Sequence, residues 1–257
     1  MTTDTGTYLY AVARDPGLAC PGDLRGVAGE PVRTITHAGL VAYVSTVPLD
    51  QFGEEPLRRS MEDLDWLGET ARAHHHVVEA VAETTTAAPV RLVTVYSGEE
   101  QIRQLLDQRH DDFADMLSRV AGRREWGVKA YAKTTAPPSS EQSREKTTSP
   151  GTAYLKRRQA SLHTREEAWR EAIGRAAAIH DTLASTAVAS RRHRAQDPEL
   201  SGRDEWMVLN GAYLVDDARR EEFARAVEGL RGEGIELELT GPWAPYSFAT
   251  LEEGGPQ

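Results

Sequence analysis

The apolar positions of the chain follow two periods, and the places where one gives way to the other mark its elements. Thr7 to Ala13, TYLYAVA, is a continuous aromatic and aliphatic run that stops at Asp15-Pro16-Gly17, which predicts a strand followed by a turn. Pro31 to Thr36 and Leu40 to Val47, joined by His37-Ala38-Gly39, predict a hairpin. From Leu64 the spacing changes to three and four: Leu67, Ala71, His74, Val78 and Val81 share one stripe, and the helix this predicts ends before Pro89. Pro89 to Tyr96, PVRLVTVY, predicts the next strand, and Ser97-Gly98-Glu99-Glu100 has the form of a capping box opening a further helix. Ile102, Leu105, Leu106, Phe113, Leu117 and Val120 give that helix its buried face, with Gly122 at its end. Glu125 to Lys133, EWGVKAYAK, reads as the strand that closes this first unit.

Thr134 to Thr152 is rich in Pro, Ser, Thr and charge and offers nothing to bury, so it reads as a flexible linker. Beyond it Leu155, Leu162, Trp169, Ala176 and Leu183 recur every seven residues, which predicts one long helix or a helical hairpin running to about Ser190. Glu205 to Val215 is a predicted strand; Phe223, Val227 and Leu230 mark a helix after Asp216 or Asp217; Ile235 to Gly241 alternates as a strand with one buried face. The expected organisation is α+β in two domains, residues 1–133 and 153–257, with 134–152 between them. The 257 residues suffice for two hydrophobic cores.

Charge narrows the function. With 30 Lys and Arg against 40 Asp and Glu, the net charge of -10 opposes binding to nucleic acid or anionic lipid. No apolar run of about 18 residues is present, and the first residues lack the basic and apolar regions of a signal peptide, so a cytoplasmic protein with no membrane partner is expected. Cys20 is the single cysteine, which excludes an internal disulfide or a multi-cysteine metal site.

Catalytic chemistry finds little support. His74-His75-His76 is the most tempting cluster, yet sequence neighbours on a helix point to different faces, and a shared metal needs partners three or four residues away. His74 hydrogen-bonded within the core stripe, with its neighbours solvated, is the expected arrangement. No glycine-rich phosphate loop follows a strand and no Gly-x-Ser-x-Gly elbow occurs. Neither a cofactor nor a metal is implied. Arg91 interrupts PVRLVTVY and either binds an anion or, as expected by default, pairs with a surface carboxylate. A small-molecule-binding or catalytic α+β protein using Arg91 and His74 to His76 is the alternative these residues leave open. Asn210-Gly211, inside a predicted strand, marks a hairpin turn, a bulge or a close backbone contact.

Five segments in this order, YLYAV, PVRLVTVY, EWGVKAY, LNGAYLVDD and GPWAPYSF, resemble the GvpF/GvpL family of gas vesicle proteins, over nearly the whole chain except the linker. The most specific stretches hold Trp126 and Lys129, Asn210 and Tyr213, and Trp243, Tyr246 and Phe248. One departure is Leu92-Val93, where many members carry Phe-Gly after the arginine. The resemblance implies an N-terminal ferredoxin-like α+β domain and a C-terminal α/β domain. It also implies a non-enzymatic accessory or minor component of gas vesicles that associates with the shell protein GvpA and with other accessory proteins. With Arg91, the seven residues just named are the candidate motif or partner-contact positions. In GPWAPYSF, Pro242 and Pro245 hold the chain extended. Its rings either staple the last strand against the other domain, the expected case, or stand exposed as partner anchors.

Overall fold

The computed structural model describes residues 4–15, 17, 23–132, 150–196, 205–232 and 234–249. Cys20 and most of the predicted linker lie outside these. The chain divides into two compact units, Met1–Glu125 with Pro242–Gln257, and Trp126–Gly241.

The first unit is built on a four-stranded sheet of order β2-β3-β1-β4, formed by β1 (Thr5–Arg14), β2 (Arg33–His37), β3 (Leu40–Pro48) and β4 (Ala87–Tyr96). β1 is central and buried on both faces, which is why TYLYAVA is apolar throughout rather than alternating. Its register against β3 and β4 shifts between Leu9 and Ala11. The shift changes the phase of the strand: Tyr8 and Tyr10 pack in one core, and beyond the irregularity Ala11 and Ala13 join that same core, while Leu9 and Val12 pack in the other. Helix α3 (Leu64–Thr84) follows the short helices α1 (Leu49–Phe52) and α2 (Glu54–Ser60). Asp63 caps α3, its carboxylate accepting from the backbone N–H groups of Asp65 and Trp66. Thr70, His74, Val77, Val78 and Val81 form its buried stripe.

The single helix expected after Ser97 is two, α4 (Glu99–Gln108) and α5 (His110–Val120), broken where Arg109 leaves helical geometry. Ile102, Leu106, Phe113, Met116 and Leu117 fill the second core with Leu9 and Val12. The capping box is also different from expectation: the side chain of Gln101, rather than of Glu100, reaches back to the Ser97 N–H at 2.9 Å.

The second unit has the sheet order β6-β7-β5-β8, from β5 (Arg123–Ala132), β6 (Ala189–Arg192), β7 (Trp206–Asp216) and β8 (Ile235–Trp243). This corrects the expected division at residue 133: EWGVKAYAK opens the second sheet instead of closing the first unit. The reason is packing, because Val128, Ala130 and Ala132 join a core with Val208, Leu209, Val215 and Leu237. The C-terminal segment from Pro242 likewise belongs to the first unit rather than to a domain running from 153 to 257. A single helix, α6 (Pro150–Thr186), takes the place of the alternative hairpin, and Ala176, Ile179 and Leu183 give its buried face. Helix α7 (Arg220–Gly229) adds Phe223 and Val227 to the same core.

Candidate partner-binding site

At the edge of the first sheet β4 leaves its ladder. Leu9 of β1 faces Thr94 and Ala11 faces Pro89, so Tyr10 alone stands opposite Val90, Arg91, Leu92 and Val93. Hydrogen bonds hold the bulge. The Val93 N–H donates to the Tyr8 hydroxyl at 2.9 Å, and the Thr94 hydroxyl donates to the Arg91 carbonyl at 2.8 Å. Val93 has φ of +62°, the left-handed region that a β-branched residue rarely enters. Val93 is the position at which the resemblance expects glycine, so the sequence departs from the family pattern where the backbone most favours that residue.

Tyr8 links the bulge to α3. Its hydroxyl, which accepts from Val93, also lies 3.0 Å from His74 Nδ1. The other ring nitrogen, Nε2, is buried without a hydrogen-bond partner. Burial lowers the His74 pKa to about 4; the Val90 backbone draws it back part of the way, and His75 adds a little to the lowering. Desolvation pushes the Tyr8 hydroxyl up, so both groups are neutral at ordinary pH. Tyr10 completes the polar plug, its hydroxyl sharing a 2.7 Å hydrogen bond with Ser45 Oγ and accepting from the Val27 N–H at 2.8 Å. Tyr10 packs so close to Gly26 that a Cβ there would lie 2.0 Å from its hydroxyl. The histidine cluster is thus split: His74 is a core residue, His76 is exposed, and half-buried His75 packs edge-on to Trp243 with centroids 5.3 Å apart. Among the described residues no group of three or more His, Cys, Asp or Glu is placed to hold a metal ion.

The returning C-terminal segment forms the other wall. Pro242 and Pro245 have no N–H, and the remaining backbone donors from Ala244 to Ala249 are all engaged. Ala244 donates to Glu79 Oε1 at 2.7 Å and Ser247 to Glu125 Oε2 at 2.7 Å; the Ser247 hydroxyl meets Oε1 of the same carboxylate at 2.6 Å. Tyr246, Phe248 and Ala249 close turns onto Ala244 and Pro245. Glu79 is also held by Arg124 at 3.6 Å. Sequence reading missed both carboxylates; the only signal for them was that backbone donors flanking prolines need acceptors. Ala244 and Ala249 are buried, Tyr246 and Phe248 half-buried, and Trp243 is 41% exposed. The expectation of Trp243 as a buried staple is corrected accordingly, because its ring lies on the surface against His75 while smaller residues behind it enter the core.

Between bulge, segment and α4–α5 lies a cleft of about 280 Å³. Leu9, Val90, Leu105 and Phe113 make it apolar, Tyr246 and Ala249 come from the C-terminal segment, and Arg91 and Arg109 are its charged residues. The Tyr246 hydroxyl is buried without a hydrogen-bond partner, and burial, followed by Glu79 and Glu125, pushes its pKa up.

The remaining candidates lie in the second unit. Trp126 packs against Phe223, 6.1 Å between centroids, with its Nε1 buried and without a partner. Lys129 is half-buried on β5. Asn210 sits in an unbroken β7, its amide donating to the Arg194 carbonyl at 3.1 Å and its own carbonyl accepting from His193 at 2.7 Å. Gly211 is the close-contact case, since a Cβ there would lie 2.7 Å from the Tyr213 hydroxyl. That hydroxyl is 2.9 Å from His180 Nδ1. The geometry thus brings Arg91 and Tyr246 together, sets Trp243 and Phe248 in the segment that borders their cleft, and leaves the second-unit residues in a structural network of their own.

An α+β protein with two four-stranded antiparallel sheets and an apolar cleft that carries two arginines is the class these features define. The same fold occurs in two crystal structures of the gas vesicle protein GvpF, from Anabaena sp. PCC7120 and Microcystis aeruginosa. Their TM-scores are 0.67 and 0.64, each at 21% identity over 96% of this chain, covering 97% and 99% of the respective structures. The chain belongs to the family described as gas vesicle synthesis protein GvpL/GvpF, which matches residues 6–250. Gas vesicle protein L of Streptomyces sp. (strain CB03234) is 43% identical over 98% of this chain and 96% of its own length. Gas vesicle protein F of the same strain is 26% identical over 94% and 98%. Among the described residues no helix is long and apolar enough to cross a membrane.

Proposed function

We propose that the protein is a non-enzymatic assembly factor or minor shell component of cytoplasmic gas vesicles, acting by binding the shell protein GvpA and other gas vesicle proteins. The observation that carries this reading is the family match over residues 6–250, joined to a relative of nearly equal length named gas vesicle protein L. The physical logic agrees with it. A shell subunit with a large apolar surface needs a soluble partner until it is assembled, and a chain of net charge -10 stays soluble while it covers such a surface. Splitting of the histidine cluster weighs against the alternative of a catalyst built on His74 to His76. The deciding experiment is co-expression with GvpA, followed by affinity capture and by flotation of intact vesicles. Capture of GvpA or cofractionation with floating vesicles is expected. Absence of both, together with normal vesicles in a deletion strain, refutes the reading.

A further inference from the structure

We propose that the cleft beside the β4 bulge receives an apolar side chain of a partner protein together with a carboxylate adjacent to it in the partner. This rests on the reading of the chain as a gas vesicle accessory protein and adds the chemistry of the segment it recognises. Size is the first observation: about 280 Å³ is below the roughly 300–1,000 Å³ usual for cofactor and drug-sized sites, and suits an anchoring side chain. Charge is the second. In a chain of net charge -10 the charged residues lining the cleft are both arginines, Arg91 on the bulge and Arg109 at the α4–α5 break, the latter also contacting Asp112. A guanidinium presents a planar fork of donors matched to a carboxylate, and two of them beside an apolar floor select an acidic group next to an apolar one.

The form of the edge points the same way. β4 is an edge strand, and an even edge recruits a partner by strand addition. The bulge from Val90 to Val93 interrupts the ladder and turns Arg91 and Leu92 to solvent, which disfavours an added strand and favours insertion of side chains.

Octanoate, an apolar chain ending in a carboxylate, serves as the minimal probe on the full-length protein, with octylammonium as its charge-reversed control. Octanoate is expected to shift the amide resonances of Val90, Arg91, Leu105 and Ala249 in two-dimensional NMR and to raise the melting temperature, and octylammonium to do neither. Arg91→Glu and, separately, Leu105→Trp, which fills the cleft, are expected to weaken octanoate binding at least tenfold while the wild-type circular dichroism is kept. Octanoate shifts that are absent, or that survive both variants, overturn the cleft as a carboxylate site. A second arm captures co-expressed GvpA. Loss of capture in both variants with retention in wild type supports the assignment. Equal capture by wild type and both variants overturns the partner assignment but leaves the accessory function standing. No capture by any form, with octanoate still bound, overturns the partner assignment while the cleft chemistry holds; the proposed function falls with it only if cofractionation with vesicles also fails and a deletion strain makes normal vesicles.

Discussion

The two units share a strand order, β2-β3-β1-β4 and β6-β7-β5-β8, and each sets a tyrosine of a central strand against a helix histidine. Their surroundings differ. In the first unit Tyr8 and His74 are both buried, with Tyr10, Ser45 and a strained edge bulge beside them. In the second, Tyr213 is buried but solvent reaches His180, and the core behind them is aliphatic and aromatic. The same hydrogen bond, 3.0 Å in one and 2.9 Å in the other, therefore carries different weight. Where no water can replace it, it ties the bulge to a helix; where water can, it orients a ring at the margin of a core. Irregularity has collected in the unit that carries the cleft.

Acid is expected to produce the largest separation of the two. His74 has a folded pKa of about 4 against an ordinary 6.5, so between those values the unfolded chain binds the proton that the folded one refuses. The stability this group allows is fully present above about pH 6.5 and falls as pH drops toward 4, by a total on the order of 3 kcal/mol. His180 is also lowered, by burial and then by Arg192, but with its ring open to solvent it has less to lose. Hydrogen exchange at pH 7 and pH 4.5 should show protection lost first in β1 and α3; equal loss in β5 and β7 would break the comparison.

Removing the phenol hydroxyls comes next. Tyr8→Phe strands the Val93 N–H and His74 Nδ1 in a dry site and should destabilise the first unit by about 2–4 kcal/mol, whereas Tyr213→Phe should cost about 1 kcal/mol. Urea titrations of the two variants side by side test the ordering, and a Tyr213→Phe cost equal to that of Tyr8→Phe contradicts it.

Val93→Gly sharpens the contrast with the opposite sign. Relief of the left-handed strain is worth about 1–2 kcal/mol, and the added flexibility of glycine returns about 0.5–1 kcal/mol of it. A net gain of up to about 1.5 kcal/mol is expected, read as a higher thermal midpoint; a lower midpoint would mean that the isopropyl group contributes more packing than the backbone stores strain. The smallest effect is assigned to Trp243→Ala, about 1 kcal/mol or less for a ring that is 41% exposed, against about 3–5 kcal/mol for a buried aromatic. Differential scanning calorimetry distinguishes the two ranges.

Most elements were legible because burial follows periodicity: the stripe through His74, Val78 and Val81 and the run from Tyr8 to Ala13 needed no partner to be recognised. The break at Arg109 was hidden, since residues on both sides continue one apolar face. The candidate site was half legible. Arg91 and the terminal aromatics stood out as anomalies in their segments, but Arg109 and Phe113, which line the cleft, and Glu79 and Glu125, which hold the C-terminal segment, look like ordinary helix or strand residues until the chain folds.

The amino-acid sequence by itself determined the strands, the helices, the acidic surface and the family, because each rests on local pattern or on an ordered set of short motifs. Tertiary structure alone decided which sheet owns EWGVKAYAK, where GPWAPYSF returns, and which ring of that segment faces water. Those outcomes depend on contacts between residues far apart in the chain, such as Ser247 with Glu125 and Ala244 with Glu79, whose hydrogen bonds exist only once both ends have been buried together.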